Sequence, residues 1–195
     1  MSSKYSCFKF KKFNLQQTNA AMKIGTDGIL LGAWANVSSS NSLLDIGTGT
    51  GVIALMQAQK NSALKIDAIE IDADACIDAE FNFNASPWNN RLKLHNCSLE
   101  QFKPINKYDT ILSNPPFFEN SMQSNSNKRT LARHTDSLHY SDLLKFAKNH
   151  LTPKGTICLI LPYSEEEKCI ENAIDLEMHL IRKCSVYPKK IKSQH

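Results

Sequence analysis

The stretch Ser42-Leu-Leu-Asp-Ile-Gly-Thr-Gly-Thr-Gly51 decides the fold. Its first five residues are mostly apolar and predict a short buried strand, Ser42–Ile46. The alternating glycines predict a tight turn, because glycine tolerates positive φ and lets a ligand approach the backbone closely. Val52–Lys60 follows with apolar residues at helical spacing. A strand, a glycine turn and a helix in this order indicate an α/β unit whose helix N-terminus can face a nucleotide-like ligand.

The rest of the chain alternates between strand and helix patterns, which predicts a mostly parallel, twisted sheet with helices on both faces. Further strands are expected at Lys65–Ile71, Arg91–Cys97, Tyr108–Ser113, Thr156–Leu161 and His179–Tyr187. Further helices are expected at Gly28–Trp34, Asp72–Ala85, Leu138–Leu151 and Ser164–Ile174, with Asp27 and Asp72 as caps. We expect one domain over residues 1–195, with a flexible polar loop at residues 119–137.

Composition excludes several classes of protein. A chain of 195 residues with 42% hydrophobic and 22% charged residues is ordinary for one globular domain. The net charge of +4 is mild and compatible with a phosphate-bearing partner, although many proteins without one carry as much. Six cysteines without C-x-x-C or metal-ligand spacing predict reduced thiols in a cytosolic protein. Neither a signal peptide nor a membrane span is expected, because no long apolar run occurs.

Carboxylates flank the glycine turn. Asp45 precedes Gly47 by two residues, and Glu70 ends the next predicted strand, where a carboxylate can bind both ribose hydroxyls. Val52 stands where the dinucleotide fingerprint places Gly or Ala, so the match to a pyrophosphate site is imperfect. The pattern favours S-adenosylmethionine over NAD, since its sulfonium and ammonium groups suit acidic partners. The alternative is a plain tight turn.

The stretch Asn114-Pro-Pro-Phe117 follows the predicted strand Tyr108–Ser113. Proline pushes the preceding residue toward extended geometry, so Asn114 is pre-set. Neither proline has an N–H, so a ligand amino group meets carbonyl oxygens without a competing donor, and Phe117 can stack on a planar ring. Taken alone, the stretch fits a turn equally well. Together with the glycine turn and Glu70, it predicts a site that grips a flat NH2-bearing group.

These motifs resemble the Rossmann-like class I methyltransferases that use S-adenosylmethionine, and Asn114-Pro-Pro-Phe117 is similar to the active-site motif of those acting on exocyclic or amide nitrogens. Phe8–Phe13, Met22–Trp34, Ser86–Trp88 and Lys128–His134 resemble the bacterial tRNA1(Val) adenine-N6 methyltransferase family. The resemblance covers nearly the whole chain. It implies methylation of adenine 37 of a tRNA by a cytoplasmic enzyme, with residues 1–36 covering the cofactor and substrate. We expect a monomer that needs no metal.

The resemblance also implies roles for individual residues. The Asn114 side-chain oxygen and the Pro115 carbonyl would accept hydrogen bonds from the N6 hydrogens, and Phe117 would stack on the ring. The predicted catalytic residues are Asn114, Pro115 and Phe117, and the predicted substrate contacts are Pro116, Phe117, Arg129 and Arg133. The predicted cofactor-binding residues are Lys23, Thr26, Asp45, Gly47, Gly49, Gly51, Glu70, Ile71, Ser98 and Asn114. Candidate RNA contacts also include Lys4, Lys9, Lys11, Lys12, Lys128, Lys189, Lys190 and Lys192, although a solvated surface position is the better expectation for each lysine taken singly.

The chain departs from the family pattern in two places. Cys97-Ser98 stands where an Asp usually contacts the cofactor adenine, so Ser98 and backbone N–H groups are expected to replace it. Few residues follow Pro188, so the final antiparallel strand is expected to be missing from a truncated chain. Three alternatives remain open: a ribosomal RNA guanine-N2 methyltransferase, a protein glutamine-N5 methyltransferase and a non-catalytic cofactor-fold binding protein.

Overall fold

The computed structural model describes residues 7–116 and 138–187. Its strands are β1 Cys7–Lys9, β2 Asn14–Gln16, β3 Ser42–Ile46, β4 Lys65–Glu70, β5 Leu92–Asn96, β6 Tyr108–Ser113 and β7 Leu151–Leu159. The main sheet has five strands in the order β5-β4-β3-β6-β7, and every neighbouring pair is parallel. A separate antiparallel hairpin, β1 with β2, precedes it in the chain. The strand order reverses between β3 and β6, and ligands of open α/β sheets bind at such a switch point.

Helices cover both faces of the sheet. They are α1 Thr26–Trp34, α2 Val52–Lys60, α3 Ala73–Asn84, α4 Tyr140–His150 and α5 Glu166–Asp175. Leu43 and Leu44 are neighbours in β3 but belong to different apolar clusters, because successive strand side chains point to opposite faces. Leu43 packs in the cluster with α1 and α2, and Leu44 in the cluster with α4. The predicted α/β class is therefore confirmed. None of the described helices has the length and apolar character that crossing a bilayer requires.

The predicted cap of α1 is wrong, whereas that of α3 is confirmed. α1 begins at Thr26 after the N-cap residue Gly25, so Asp27 lies inside the first turn. Its negative charge there interacts favourably with the positive end of the helix dipole. At α3, the side chain of Asp72 accepts a hydrogen bond of 3.0 Å from the backbone N–H of Asp74. Such a bond satisfies one of the donors that every helix N-terminus leaves free.

The strand predicted at residues 179–187 is also wrong. This segment has no regular secondary structure, and its apolar side chains, such as Ile181 at 78% and Tyr187 at 78%, are largely exposed. Alternation of apolar residues suits a strand, but a strand forms only where another edge supplies hydrogen bonds. The segment is instead anchored by Arg182, whose guanidinium lies 4.0 Å above the Trp34 ring and donates to the Trp34 carbonyl at 2.8 Å.

Residues 152–155, which separate the predicted helix Leu138–Leu151 from the predicted strand Thr156–Leu161, lie inside β7. Tyr108 pairs with Leu151 and Thr110 pairs with Thr156, so these four residues bulge opposite Asp109 alone. A bulge accommodates Pro153, which has no N–H for the ladder, and glycine such as Gly155 is common at bulges. The loop expected at residues 119–137 lies outside the described residues.

Candidate active site

The carboxyl ends of β3 and β6 lie side by side at the switch point. Ile46 pairs with Ser113 in the parallel register, and the Ser113 hydroxyl donates to the Ile46 carbonyl at 2.8 Å. Gly47 directly follows β3, and Asn114 directly follows β6. The glycine turn and the Asn-Pro-Pro stretch, which lie far apart in sequence, therefore meet at one edge of the sheet.

The glycine turn requires its glycines for different reasons. Gly47, Gly49 and Gly51 have φ of +70°, +56° and +83°, in the left-handed region that side-chain-bearing residues avoid. A Cβ on Gly51 would in addition collide with the ring of Phe83, whereas one on Gly49 would meet nothing within 4 Å. Gly51 thus allows α3 to pack closely, and Gly49 leaves open space beside the backbone that a ligand can fill.

Glu70 at the end of β4 holds the turn. One carboxylate oxygen accepts from the Gly49 N–H at 2.8 Å and the other from the Asp72 N–H at 2.9 Å. Each oxygen has a second lone pair, so the half-buried carboxylate can still accept hydrogen bonds from ligand hydroxyls. The predicted cofactor residue Glu70 therefore lies against the predicted cofactor turn.

Asp45 is fully buried beneath the turn. Its Oδ2 accepts from the Thr48 hydroxyl at 2.6 Å, while its Oδ1 is buried without a partner in the described part of the chain. Burial raises the pKa of Asp45 to about 7, although the bond from Thr48 and the nearby backbone N–H of Ala54 oppose this change. An orphaned carboxylate oxygen is costly, and a cationic group bound in the turn would reduce that cost.

Asn114 stands half-buried at the exit of β6, followed by buried Pro115 and half-buried Pro116. The first turn of α1 lies over it, because a Cβ on Gly28 would be 3.9 Å from Asn114 Nδ2 and 3.7 Å from Val52 Cγ1. The exposed Thr26 is in the same turn of α1. The N-terminal segment therefore reaches the edge where Asn114 and the glycine turn meet.

Lys23 has a different setting from the one its predicted cofactor role needs. Its ammonium donates to the carbonyls of Gln17 at 2.5 Å, Ala20 at 3.1 Å and Thr18 at 3.4 Å. These bonds engage the three donors of the group. In the structure, Lys23 orders the loop before α1 and presents no free donor to a ligand.

The rim beyond Glu70 holds the predicted residues Ile71 and Ser98. Ile71 is 50% exposed, so its side chain is accessible to a ligand. Asn96, which the sequence analysis missed, donates to the carbonyls of Glu70 at 2.8 Å and Ile71 at 3.3 Å. Ser98 exchanges hydrogen bonds with Gln101. A polar side chain in register with Glu70 at the end of β5 was the signal that could have revealed Asn96.

Two further residues of α3 escaped the sequence analysis. The carboxylate of Asp78 accepts from the N–H groups of Asn19 and Ala20, both at 2.8 Å. Asn82, one turn later, accepts from the Gln16 N–H at 2.7 Å and donates to the Gln16 carbonyl at 2.8 Å. Burial would raise the pKa of Asp78, but the hydrogen bonds outweigh it and lower the pKa below its ordinary value. This pair fastens the N-terminal segment to α3.

Several predicted contacts lie outside the described residues, namely Phe117, Arg129 and Arg133 of the site and the lysines Lys4, Lys128, Lys189, Lys190 and Lys192. Within residues 7–116 and 138–187, no group of three or more His, Cys, Asp or Glu side chains could hold a metal ion.

The parallel sheet, its glycine turn and the polar groups at the switch point define a protein of the Rossmann-like methyltransferase class. Residues 19–180 match the family model described as "Methyltransferase small domain". A ribosomal protein L11 methylase from Lactobacillus delbrueckii subsp. bulgaricus has a similar fold, with a TM-score of 0.59, 20% identity and coverage of 83% of this chain and 72% of that one.

Two curated relatives narrow the class. A tRNA1(Val) (adenine(37)-N6)-methyltransferase of Parabacteroides distasonis is 46% identical over 183 residues, which are 93% of this chain and 77% of that protein. The protein of the same name from Vibrio campbellii is 42% identical over 188 residues, or 96% of this chain and 79% of that protein. The chain belongs to the tRNA1(Val) (adenine(37)-N6)-methyltransferase family.

Proposed function

We propose that this protein transfers a methyl group from S-adenosylmethionine to N6 of adenine 37 in tRNA1(Val), in the cytoplasm where tRNA matures. The observation that carries the proposal is the meeting of Asn114 and the glycine turn at one sheet edge, through the pairing of Ser113 with Ile46. The 46% identity to a relative of that named activity over 93% of the chain supports the choice of substrate.

The residues at the switch point fit S-adenosylmethionine, which supplies a methyl group on a positively charged sulfur when bound. The turn at Gly49 leaves space for it, and the orphaned oxygen of Asp45 suits its cationic end. Glu70 retains lone pairs for the ribose hydroxyls. Ile71 and Ser98 would form the side of the site that faces the adenine ring of S-adenosylmethionine.

Asn114 and Pro115 would activate the target nitrogen. The N6 lone pair is delocalised into the adenine ring, so N6 is a poor nucleophile. Hydrogen bonds from its two hydrogens to the Asn114 side-chain oxygen and the Pro115 carbonyl favour a pyramidal nitrogen whose lone pair is directed out of the ring plane. Neither Pro115 nor Pro116 has an N–H that would compete, and most of the acceleration would come from positioning.

The target base must leave its stack to reach this edge of the sheet. An anticodon-loop purine is already single-stranded, so the cost is lower than in a duplex. Phe117, Arg129 and Arg133 remain predicted substrate contacts, with Phe117 stacking on the base and the arginines binding phosphates.

The proposal is tested with unmodified tRNA1(Val) transcript and S-adenosylmethionine carrying a labelled methyl group. After digestion, we expect the label in N6-methyladenosine, and none when adenine 37 is replaced by guanine in the transcript. Label in N2-methylguanosine of ribosomal RNA, or in a glutamine of a protein, would instead support the corresponding alternative. Absence of label from every tRNA would refute the proposal.

A further inference from the structure

A groove of about 450 Å³ opens between the N-terminal hairpin and the C-terminal half of α3. On the hairpin side it is lined by Lys12, Asn14 and Gln16, and on the helix side by Phe81, Ala85 and Pro87. Its volume is in the range of sites that bind small molecules. The groove is separate from the edge where Asn114 and the glycine turn meet, since none of those residues lines it.

The hairpin carries three lysines, one of which, Lys12, lines this groove. Lys9, Lys11 and Lys12 are all exposed, and none makes an ion pair or side-chain hydrogen bond with any residue of the described ranges. No carboxylate belongs to the described lining; the nearby Glu80 of α3 lies outside it. Three unpaired cations on one short hairpin suit the phosphates of a nucleic acid strand.

The helix side of the groove offers an aromatic surface. The Phe81 side chain is 54% exposed, although its ring could pack into a core as its neighbour Phe83 does at 4%. An exposed aromatic that lines a groove together with Lys12 offers a surface on which an unpaired base can stack. Stacking does not require a particular base, because every base has a π-face.

The hairpin is held rigidly. The rings of Phe10 and Phe13 stack with centroids 4.3 Å apart and planes 11° apart, and Phe13 meets Trp88 edge-on at 5.8 Å. The Phe10 N–H donates to the Phe13 carbonyl at 2.9 Å, which closes the turn that carries Lys11 and Lys12. A fixed platform loses little conformational freedom when a ligand binds.

The groove is also tied to the methyl-transfer site. Asn82 donates to the carbonyl of Gln16 in the groove wall at 2.8 Å and to the carbonyl of Thr50 in the glycine turn at 2.9 Å. One side chain thus sets the spacing between the groove and the cofactor turn.

We propose that this groove binds a second, unpaired nucleotide of the same RNA whose adenine is methylated, with its base on Phe81 and the adjoining phosphates beside Lys9, Lys11 and Lys12. The inference rests on the proposed function and adds to it a second contact site on the substrate, which would set the distance of the target base from Asn114.

The test compares two variants with two matched controls. The triple variant Lys9→Gln, Lys11→Gln, Lys12→Gln removes the hairpin charge, and Phe81→Ala removes the stacking surface. The control triple is Lys65→Gln, Lys107→Gln, Lys154→Gln, which removes the same charge from exposed positions away from the hairpin. Ile105→Ala truncates an apolar side chain that is 98% exposed outside the groove. Unchanged S-adenosylmethionine affinity and urea midpoint establish that each variant is folded.

Binding of a fluorescein-labelled, unmodified anticodon stem-loop is measured by anisotropy over a salt series, and KM and kcat for methylation are measured alongside. We expect the hairpin triple to reduce the slope of log Kd against log salt by about 2. Phe81→Ala should raise the Kd about tenfold. Both should raise KM for tRNA with little change in kcat, and the controls should behave as wild type.

Three outcomes would overturn the inference. In the first, the hairpin triple and Phe81→Ala bind RNA as tightly as wild type. In the second, the control triple loses as much RNA affinity as the hairpin triple. In the third, a polyglutamate peptide competes with RNA through the same residues, and the groove then belongs to an acidic protein segment. Failure of the proposed function looks different: wild-type protein would methylate no tRNA, whatever the hairpin variants do to RNA binding. If the hairpin variants still weaken RNA binding in that case, the groove is an RNA-binding site even though the protein does not methylate tRNA.

Discussion

Glu70 Oε2 accepts a hydrogen bond from the backbone N–H of Gly49 at 2.8 Å, so the end of β4 fixes the turn that follows β3. The other oxygen of the same carboxylate accepts from Asp72 N–H at the start of α3. One side chain therefore positions the turn and the next helix, while its remaining lone pairs can accept hydrogen bonds from a ligand. Loss of this carboxylate should affect cofactor binding both through the missing acceptor and through a loosened turn.

Replacing Glu70 should weaken cofactor binding. Glu70→Gln places an NH2 group against one of two backbone donors, so one hydrogen bond of about 1 kcal/mol is lost together with an acceptor for the ribose. We expect the Kd for S-adenosylmethionine, measured by calorimetry, to rise at least about tenfold. The control is Glu80→Gln, an exposed acid of α3. Equal affinities of Glu70→Gln and wild type would show that Glu70 does not bind the cofactor.

Replacing Asn114 should abolish transfer and spare cofactor binding. The side chain would contact the target nitrogen, so Asn114→Ala should lower kcat about 10²–10³-fold, as loss of a positioned transition-state contact does elsewhere. Single-turnover methylation of tRNA measures this loss, and calorimetry measures S-adenosylmethionine affinity. Asn149→Ala, at an exposed position of α4, is the matched control. Loss of both activity and cofactor affinity would mean that Asn114 serves the cofactor site rather than N6.

Asp45 should make the protein less stable as pH rises. Its pKa is about 7 in the folded protein and 3.8 ordinarily, so between these values the folded state holds a proton that the unfolded chain has released. The stabilising contribution is complete below pH 3.8 and is lost as pH rises through 7, a change of about 4 kcal/mol. Asp45→Asn, which keeps an acceptor for Thr48, should lack this dependence.

Urea unfolding of wild type and Asp45→Asn at several pH values between 4.5 and 8 checks this expectation through the free energy of unfolding. The exposed Asp74→Asn serves as the control and should retain the wild-type slope. Parallel pH profiles for wild type and Asp45→Asn would contradict a buried, protonated Asp45.

The glycines of the turn should differ in their tolerance of alanine. Gly49→Ala meets open space and costs only the strain of positive φ, about 1–2 kcal/mol. Gly51→Ala has the same strain and also collides with the Phe83 ring, so a further loss of about 1–3 kcal/mol is expected. Phe83→Leu should partly rescue Gly51→Ala and not Gly49→Ala. A double-mutant cycle by urea unfolding measures this coupling, and additive free energies would refute the predicted contact.

Local patterns predicted many elements closely. β3 Ser42–Ile46, α2 Val52–Lys60 and β6 Tyr108–Ser113 have the bounds expected from the sequence, because each is an apolar run or helical repeat with clear ends. The strand prediction for residues 179–187 was wrong because a strand also needs a partner. The apolar alternation of this segment suits a strand, but no described strand edge pairs with it. The β1–β2 hairpin was missed because its strands are only three residues long.

The sequence by itself determined the parallel α/β sheet and the glycine turn, because backbone conformation depends on side-chain sterics within a few residues. It also placed Asp45, Glu70 and Asn114 at strand ends. Only the tertiary structure decided what these residues contact: the bond from Gly49 to Glu70 spans 21 residues and that from Ala20 to Asp78 spans 58. These hydrogen bonds depend on how distant segments pack, and so does the burial of the Asp45 oxygen that has no partner among the described residues. No local sequence pattern encodes that packing.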